Sequence, residues 1–135
     1  MSNETATSVQ YDVVIMGGGL AGLTLSLQLR QRFADLSVLV IERRAHPVPL
    51  AAHKVGESSV EIAAHYFDTV LGLKPHLVDE QIKKFGFRFF FSEGRRDVDK
   101  VTELGGSKVL PTSSYQIDRG IFENRLAEMA QAAGM

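Results

Sequence analysis

The spacing of apolar and polar positions changes character several times along the chain. Val13 to Met16 is an unbroken apolar run rich in β-branched residues, which suits a strand buried in a parallel sheet. Leu20 to Phe33 reads as a helix, with Leu20, Leu23, Leu27 and Leu29 on its apolar faces, and Ser37 to Ile41 as a second buried strand. Strand, glycine turn, helix and strand make one βαβ unit. Beyond it, Pro47 and Pro49 keep the chain out of helix. Ser58-x-x-Glu61 has capping-box spacing and predicts a helix from near Ser59 to about Leu71. Leu71 to Gln81 suits a turn and a short helix. Phe85, Phe87, Phe89 and Phe91 then alternate with Gly86, Arg88 and Phe90, and this period of two predicts a strand. The polar segment 92–108 reads as a hairpin or mobile loop, and "VLPTSSYQI" as a returning strand. Asp118 is placed to cap a last helix whose stripe of Phe122, Leu126, Met129, Ala130 and Ala133 suits a core. Residues 1–10 are polar and read as a flexible tail.

The glycines between the first strand and helix carry the first chemical signal. The run "VVIMGGGLAGLTLSLQL" is apolar enough to raise an export signal or a membrane span, and it fits neither. Glu4 and Asp12 precede it and no Lys or Arg comes before Arg30, the reverse of a signal peptide. Thr24, Ser26, Gln28 and four glycines interrupt it, so it is no span, and a cytoplasmic protein is expected. Gly17-x-Gly19-x-x-Gly22 fits the G-x-G-x-x-G turn of a dinucleotide site. Gly17 allows the sharp turn, Gly19 lets a pyrophosphate approach the backbone, and Gly22 lets helix and strand lie close. The N–H groups of Leu20 and Ala21 at the helix N-terminus would face the phosphates. Glu42 ends the second strand 20 residues after Gly22, where an acid accepts hydrogen bonds from ribose hydroxyls. Arg43 stands beside it. Arg43 and Arg44 would suit a 2′-phosphate, but the acid at 42 would repel one, so the pair reads best as a solvated strand end. The fingerprint alone leaves NAD and FAD open.

Composition removes whole classes of function. Among 135 residues, 15 Lys and Arg face 16 Asp and Glu, so no basic excess exists for nucleic acid or an anionic membrane. The absence of cysteine excludes disulfides, thiolate nucleophiles and Cys-ligated metals. His46, His53, His65 and His76 lack metal-ligand spacing, and no metal site is expected.

Taken together, "YDVVIMGGGLAGLTLSLQL", "VIERR", "HKVGESS" and "YQIDRGIFENRLAEMAQAAG" resemble the N-terminal region of FAD-dependent oxidoreductases of the aromatic-hydroxylase superfamily. Within it the resemblance is to the branch of flavin-dependent halogenases and geranylgeranyl-reductase-like enzymes. The resemblance implies an α/β fold, a Rossmann-like βαβ FAD-binding domain, incomplete here, with an added strand and hairpin region. Residues 11–135 would form its N-terminal part, with 82–117 on the substrate side. It implies extended FAD, with the pyrophosphate at Gly17, Gly19 and Gly22 and the ribose on Glu42. Gly56, Glu57 and Ser58 would lie near the flavin, and Gln116, with Arg119 nearby, would touch the cofactor.

In flavin-dependent halogenases a lysine downstream of the G-E-S stretch passes halogen from hypohalous acid to an electron-rich ring. Lys84 occupies a similar place, although Lys83 and Lys84 also read simply as an exposed basic pair. The phenylalanines after it could wall a substrate ring, but strand aromatics more often pack a core, and packing is expected here. The resulting expectation is a flavin-dependent monooxygenase or halogenase acting on an aromatic or electron-rich small molecule. NAD(P)H or a separate flavin reductase would supply electrons. A FAD-dependent reductase or dehydrogenase of the same fold, and a non-catalytic nucleotide-binding fragment, are the alternatives. The sheet and pocket of such an enzyme need more than these residues. This chain is therefore expected to bind FAD weakly or not at all, and to turn nothing over, unless a C-terminal portion or second chain completes it.

Overall fold

The computed structural model describes residues 9–108 and 111–135. Most of the proposed tail, and Val109 and Leu110 of the returning strand, fall outside these residues. The described residues divide into two compact units, one running up to residue 53 and resuming over 118–135, the other lying within 54–117.

In the first unit, β1 (Val13–Met16), α1 (Leu20–Arg32) and β2 (Val38–Ile41) form the βαβ unit. The strands are parallel, with Val13 opposite Val38 and Met16 opposite Ile41. Asp12 sets the register at one end, its carboxylate accepting from the Ser37 N–H at 2.8 Å and the Ser37 hydroxyl at 2.5 Å. Those bonds hold the Asp12 carboxyl below its ordinary pKa. Arg30 closes the turn after α1 by donating to the carbonyls of Ala34 and Leu36.

Chain-distant α4 (Arg119–Ala132) packs on α1. It begins as expected: Asp118 accepts from the N–H groups of Gly120 at 2.8 Å and Ile121 at 3.1 Å. Ile15, Leu23, Leu27, Val38, Phe122, Leu126 and Ala130 are buried together in this unit. Thr24 and Ser26 join them on α1 because each hydroxyl donates back to a carbonyl of its own helix. Two expectations are corrected. Met129 and Ala133 are only half-buried, and Glu123 takes a place in the core instead. Of β1, only Ile15 is buried, while Val14 and Met16 are exposed. In the described residues this sheet has two strands. Ile15 turns toward α1, and its neighbours point the other way.

The second unit holds α2 (Glu61–His65), which runs on as a π-helical turn over Tyr66–Val70, and α3 (Lys74–Glu80). Four short strands follow: β3 (Ile82–Lys84), β4 (Arg88–Phe91), β5 (Thr102–Gly105) and β6 (Ser114–Gln116). β3 pairs antiparallel with β6, and β4 with β5 as a hairpin. Ala64, Phe67, Leu71, Leu73, Leu77, Tyr115 and Ile117 form the buried set.

Here the sequence misleads twice. The capping box does not form: α2 starts at Glu61 behind Val60, with no side-chain cap. The Ser58 hydroxyl, the cap of that spacing, accepts instead from the Lys84 ammonium at 2.6 Å, while the Ser59 hydroxyl donates to the Tyr115 carbonyl and accepts from the Tyr115 N–H, both at 2.8 Å. The aromatic run is a strand only over Arg88–Phe91, and Phe85, Phe87, Phe89, Phe90 and Phe91 are all exposed, so the expected core packing is absent. A two-stranded hairpin has no second layer of its own to bury either face.

The tightest constraint in the first unit is at Gly22. A Cβ there would sit 1.8 Å from the Gly17 carbonyl oxygen. At Gly19 the nearest atom to such a Cβ is 3.7 Å away. Gly22→Ala should therefore lower stability by about 1–3 kcal/mol, the scale of overpacking, while Gly19→Ala stays near wild type. Urea denaturation of the two variants checks this, and equal midpoints would contradict the packing role of Gly22.

Candidate functional site

The candidate site lies where β1 and β2 end and α1 begins. Gly17 turns the chain at φ 118°, a left-handed-side value that disfavours side chains. Its N–H still donates to Ile41 O at 2.8 Å, so the turn stays tied to the strand end. Gly19 is the N-cap of α1 and Leu23 N–H returns to its carbonyl at 3.0 Å. Ala21 and Gly22 fall in the first turn, where no carbonyl four residues back lies within the helix. Amide donors and the positive end of the helix dipole therefore meet at one point, and the missing Cβ of Gly19 keeps the approach to them open.

Glu42 stands at the end of β2 and turns back on the loop. One carboxylate oxygen accepts from Gly18 N–H at 2.7 Å and the other from Arg44 N–H at 3.0 Å. The Gly18 bond, then the Arg44 bond, holds the Glu42 carboxyl below its ordinary pKa. A carboxylate offers about four acceptor positions, so two ribose hydroxyls can still be bound. The middle glycine matters here as much as the three of the fingerprint. A Cβ at Gly18 would lie 2.8 Å from the Glu42 Cβ. The G-x-G-x-x-G spacing gives no sign of this, because it leaves position 18 open. Arg43 is exposed at the strand end, as its solvated reading expects.

A cavity of about 480 Å³ opens beside this corner, bordered by Gly18, Glu42, His46 and Asn124. Asn124 fixes the loop after β2 by accepting from Val48 N–H at 2.7 Å and donating to Val48 O at 2.9 Å. His46 and Asn124 were not recognised in the sequence, where no motif marks them. Arg119, expected to touch the cofactor, is in this unit at the head of α4 and is ion-paired with Glu123.

The other expected residues belong to the second unit. Gly56 adopts φ 89° in an exposed turn. Glu57 accepts from Lys54 N–H at 3.1 Å, and its carbonyl accepts from Ile117 N–H at 2.7 Å. Ser58 bridges to Gln116 on β6. Lys84 lies next in this layer. Its ammonium donates to the Ser58 hydroxyl and the Ser59 carbonyl, each at 2.6 Å, and stands 5.1 Å from the Phe87 ring centre. Ser58, Gln116 and Lys84 are thus gathered within this unit, and Lys84 is more constrained than a solvated basic pair. Lys83 is exposed.

Comparisons with known proteins place the chain among nucleotide-binding and flavin-dependent relatives in sequence and fold. A family model described as an NAD(P)-binding Rossmann-like domain matches residues 15–80. The flavin-dependent halogenase of Dictyostelium discoideum is 30% identical over 131 residues, covering 92% of this chain and 22% of the relative. A thioredoxin reductase of Listeria monocytogenes is 34% identical over 124 residues, covering 86% of this chain and 35% of the relative. A flavin-dependent brominase superposes with a TM-score of 0.71 at 26% identity, covering 93% of this chain and 29% of that one. The myxobacterial chondrochloren halogenase gives 0.69 at 26%, covering 92% and 27%. A geranylgeranyl bacteriochlorophyll reductase-like protein of Thermoplasma acidophilum gives 0.62 at 25%, covering 92% and 28%. The chain is similar to Rossmann-like dinucleotide-binding domains and to FAD-dependent oxidoreductases. Flavin-dependent halogenases are among the proteins it resembles, and a geranylgeranyl reductase-like protein is among its structural neighbours. The chain spans between about a fifth and about a third of the length of these relatives. Among the described residues, no helix is long and apolar enough to cross a membrane.

The lowered pKa of Glu42 gives a pH test. Its folded value lies below the ordinary 4.5. The stability it contributes is therefore complete above that value and lost as pH falls through the folded one. Glu42→Gln should show a smaller loss of stability than wild type between pH 5 and pH 3, followed by urea midpoints. Parallel losses would show that the carboxylate bonds do not stabilise the loop.

Proposed function

We propose that this chain is the ADP-gripping part of a flavin-dependent halogenase or monooxygenase that modifies an aromatic or otherwise electron-rich small molecule. The observation that carries the reading is the convergence of the Gly19 opening, the α1 N-terminus and Glu42 on one corner of the βαβ unit. The first-turn amides of α1 at Ala21 and Gly22 would bind the diphosphate of FAD, the Leu20 N–H being taken by the Glu123 carboxylate, and Glu42 would bind its adenosine ribose. The cavity beside Gly18 and His46 would take the adenine side. By the resemblance of the G-E-S stretch, Gly56, Glu57, Ser58 and Gln116 would contact the flavin. Bound FAD would supply the redox chemistry, with NAD(P)H or a separate flavin reductase as the electron source.

Lys84 is the residue we assign to halogen delivery. Its ammonium is held by the Ser58 hydroxyl and the Ser59 carbonyl rather than left to swing in solvent. A held N–H donor can orient a small oxidised halogen species toward a ring, which a mobile surface lysine cannot do reproducibly. The exposed Phe87 and Phe89 rings, 6.2 Å apart, offer an aromatic surface in the same unit. The thioredoxin reductase match keeps a FAD-dependent reductase as the second reading.

The visible spectrum and flavin retention of the purified chain test the cofactor. Gly19→Val should abolish FAD binding while preserving the circular dichroism spectrum, because the side chain enters the approach path. Glu42→Ala should weaken binding by about tenfold, the scale of a lost charge-assisted hydrogen bond. Unchanged occupancy in both variants, by calorimetry, would refute the assignment. For the chemistry, Lys84→Ala in the completed enzyme should leave oxygen consumption intact and remove halogenated product. Product at the wild-type rate would take Lys84 out of the mechanism.

A further inference from the structure

Glu123 is a carboxylate in the wrong place for an ordinary surface helix. It lies on the stripe of α4 that the apolar pattern assigns to the core, and only 2% of its side chain is exposed. One of its oxygens accepts from Leu20 N–H, the first amide of α1, at 3.3 Å. The same oxygen accepts from the Arg119 guanidinium, through Nε at 3.0 Å and through a second, shorter bond from Nη2. It also lies 3.7 Å from the point a Gly19 Cβ would occupy. Burying a carboxylate is costly unless it is paired, and an anion alone beside the phosphate loop would repel a diphosphate. Arg119 answers both difficulties. The pair is neutral, and its cationic half is fixed one helical turn from the carboxylate, with a side chain only 15% exposed.

We propose, resting on the dinucleotide reading above, that Glu123 is the positioning residue of this site. It anchors the α1 N-terminus to α4 through Leu20 and holds Arg119 where its charge favours a bound diphosphate. Glu123 touches no ligand itself and acts through those two groups. The role is specific to phosphate: a nucleoside without phosphates gains nothing from it.

Glu123→Gln keeps the size and an oxygen for Leu20 but removes the charge that holds Arg119. Calorimetry on this chain with ADP and with adenosine should show ADP binding about tenfold weaker in the variant and adenosine binding unchanged. Amide exchange of the ligand-free variant, followed by mass spectrometry, should be faster over residues 17–23 and unaltered over the rest of α1. Equal weakening of ADP and adenosine would reduce Glu123 to a structural part, and unchanged ADP affinity would overturn the proposal outright. If Glu123→Gln folds poorly, Arg119→Lys carries the same comparison, since it keeps a cation against the carboxylate but loses the planar fork. It should weaken ADP alone, and identical affinities for both ligands would again overturn the proposal. If wild type binds neither ligand, the dinucleotide reading falls for this chain on its own, and the exchange experiment alone decides whether Glu123 anchors the loop.

Discussion

The contact between Gly22 and the Gly17 carbonyl governs the first unit. There is no room for even a methyl group between helix and turn, so α1 starts directly over the end of β1. Everything chemical at this corner follows from that closeness. The N-terminal amides of α1 stand beside the strand ends rather than a side chain's length away. Glu42 at the end of β2 can therefore reach Gly18 N–H at 2.7 Å. Gly18 in turn is pressed against Glu42, with a notional Cβ only 2.8 Å from the acid's own Cβ. The three successive glycines thus have three separate reasons: a turn at 17, a side-chain neighbour at 18 and an open approach at 19.

This explains why the βαβ unit and its acid were legible in the sequence. Each depends on local spacing, and local spacing is what a linear pattern records. Residues 13–16, 20–32 and 38–41 form the expected elements because a short β-branched run, a glycine turn and a leucine-spaced helix have few other ways to combine. Asp118 was legible for the same reason, since its cap bonds reach only two and three residues ahead. What stayed hidden depends on partners distant in the chain. Glu123 reaches Leu20 across 103 residues, and Asn124 reaches Val48 across 76. No spacing rule connects such positions.

The failures in the second unit have the same origin. Ser58-x-x-Glu61 has the right residues for a capping box, but a cap competes with every other bond its hydroxyls can make. Ser59 gains two hydrogen bonds to Tyr115, and Ser58 receives the Lys84 ammonium. Against those, one cap bond loses. The phenylalanine run shows a different limit. Alternation identifies a strand and its two faces, but it does not say what lies over either face. In β4 both faces are exposed, so aromatic content alone was a poor guide to burial.

The two kinds of polar pairing in this chain point to different tasks. Near the glycine loop, the buried Glu123 is neutralised by Arg119, and the nearby amides and cation are suited to an incoming anion. In the second unit, the Lys84 ammonium rests instead on a hydroxyl and a carbonyl, both neutral. Neutral acceptors fix the direction of the ammonium, so that it can polarise a small neighbour. The first arrangement suits holding a cofactor in place, and the second suits acting on a small reactive species. That division is what a flavoenzyme needs from its protein, because the cofactor supplies the redox chemistry while side chains supply grip and direction.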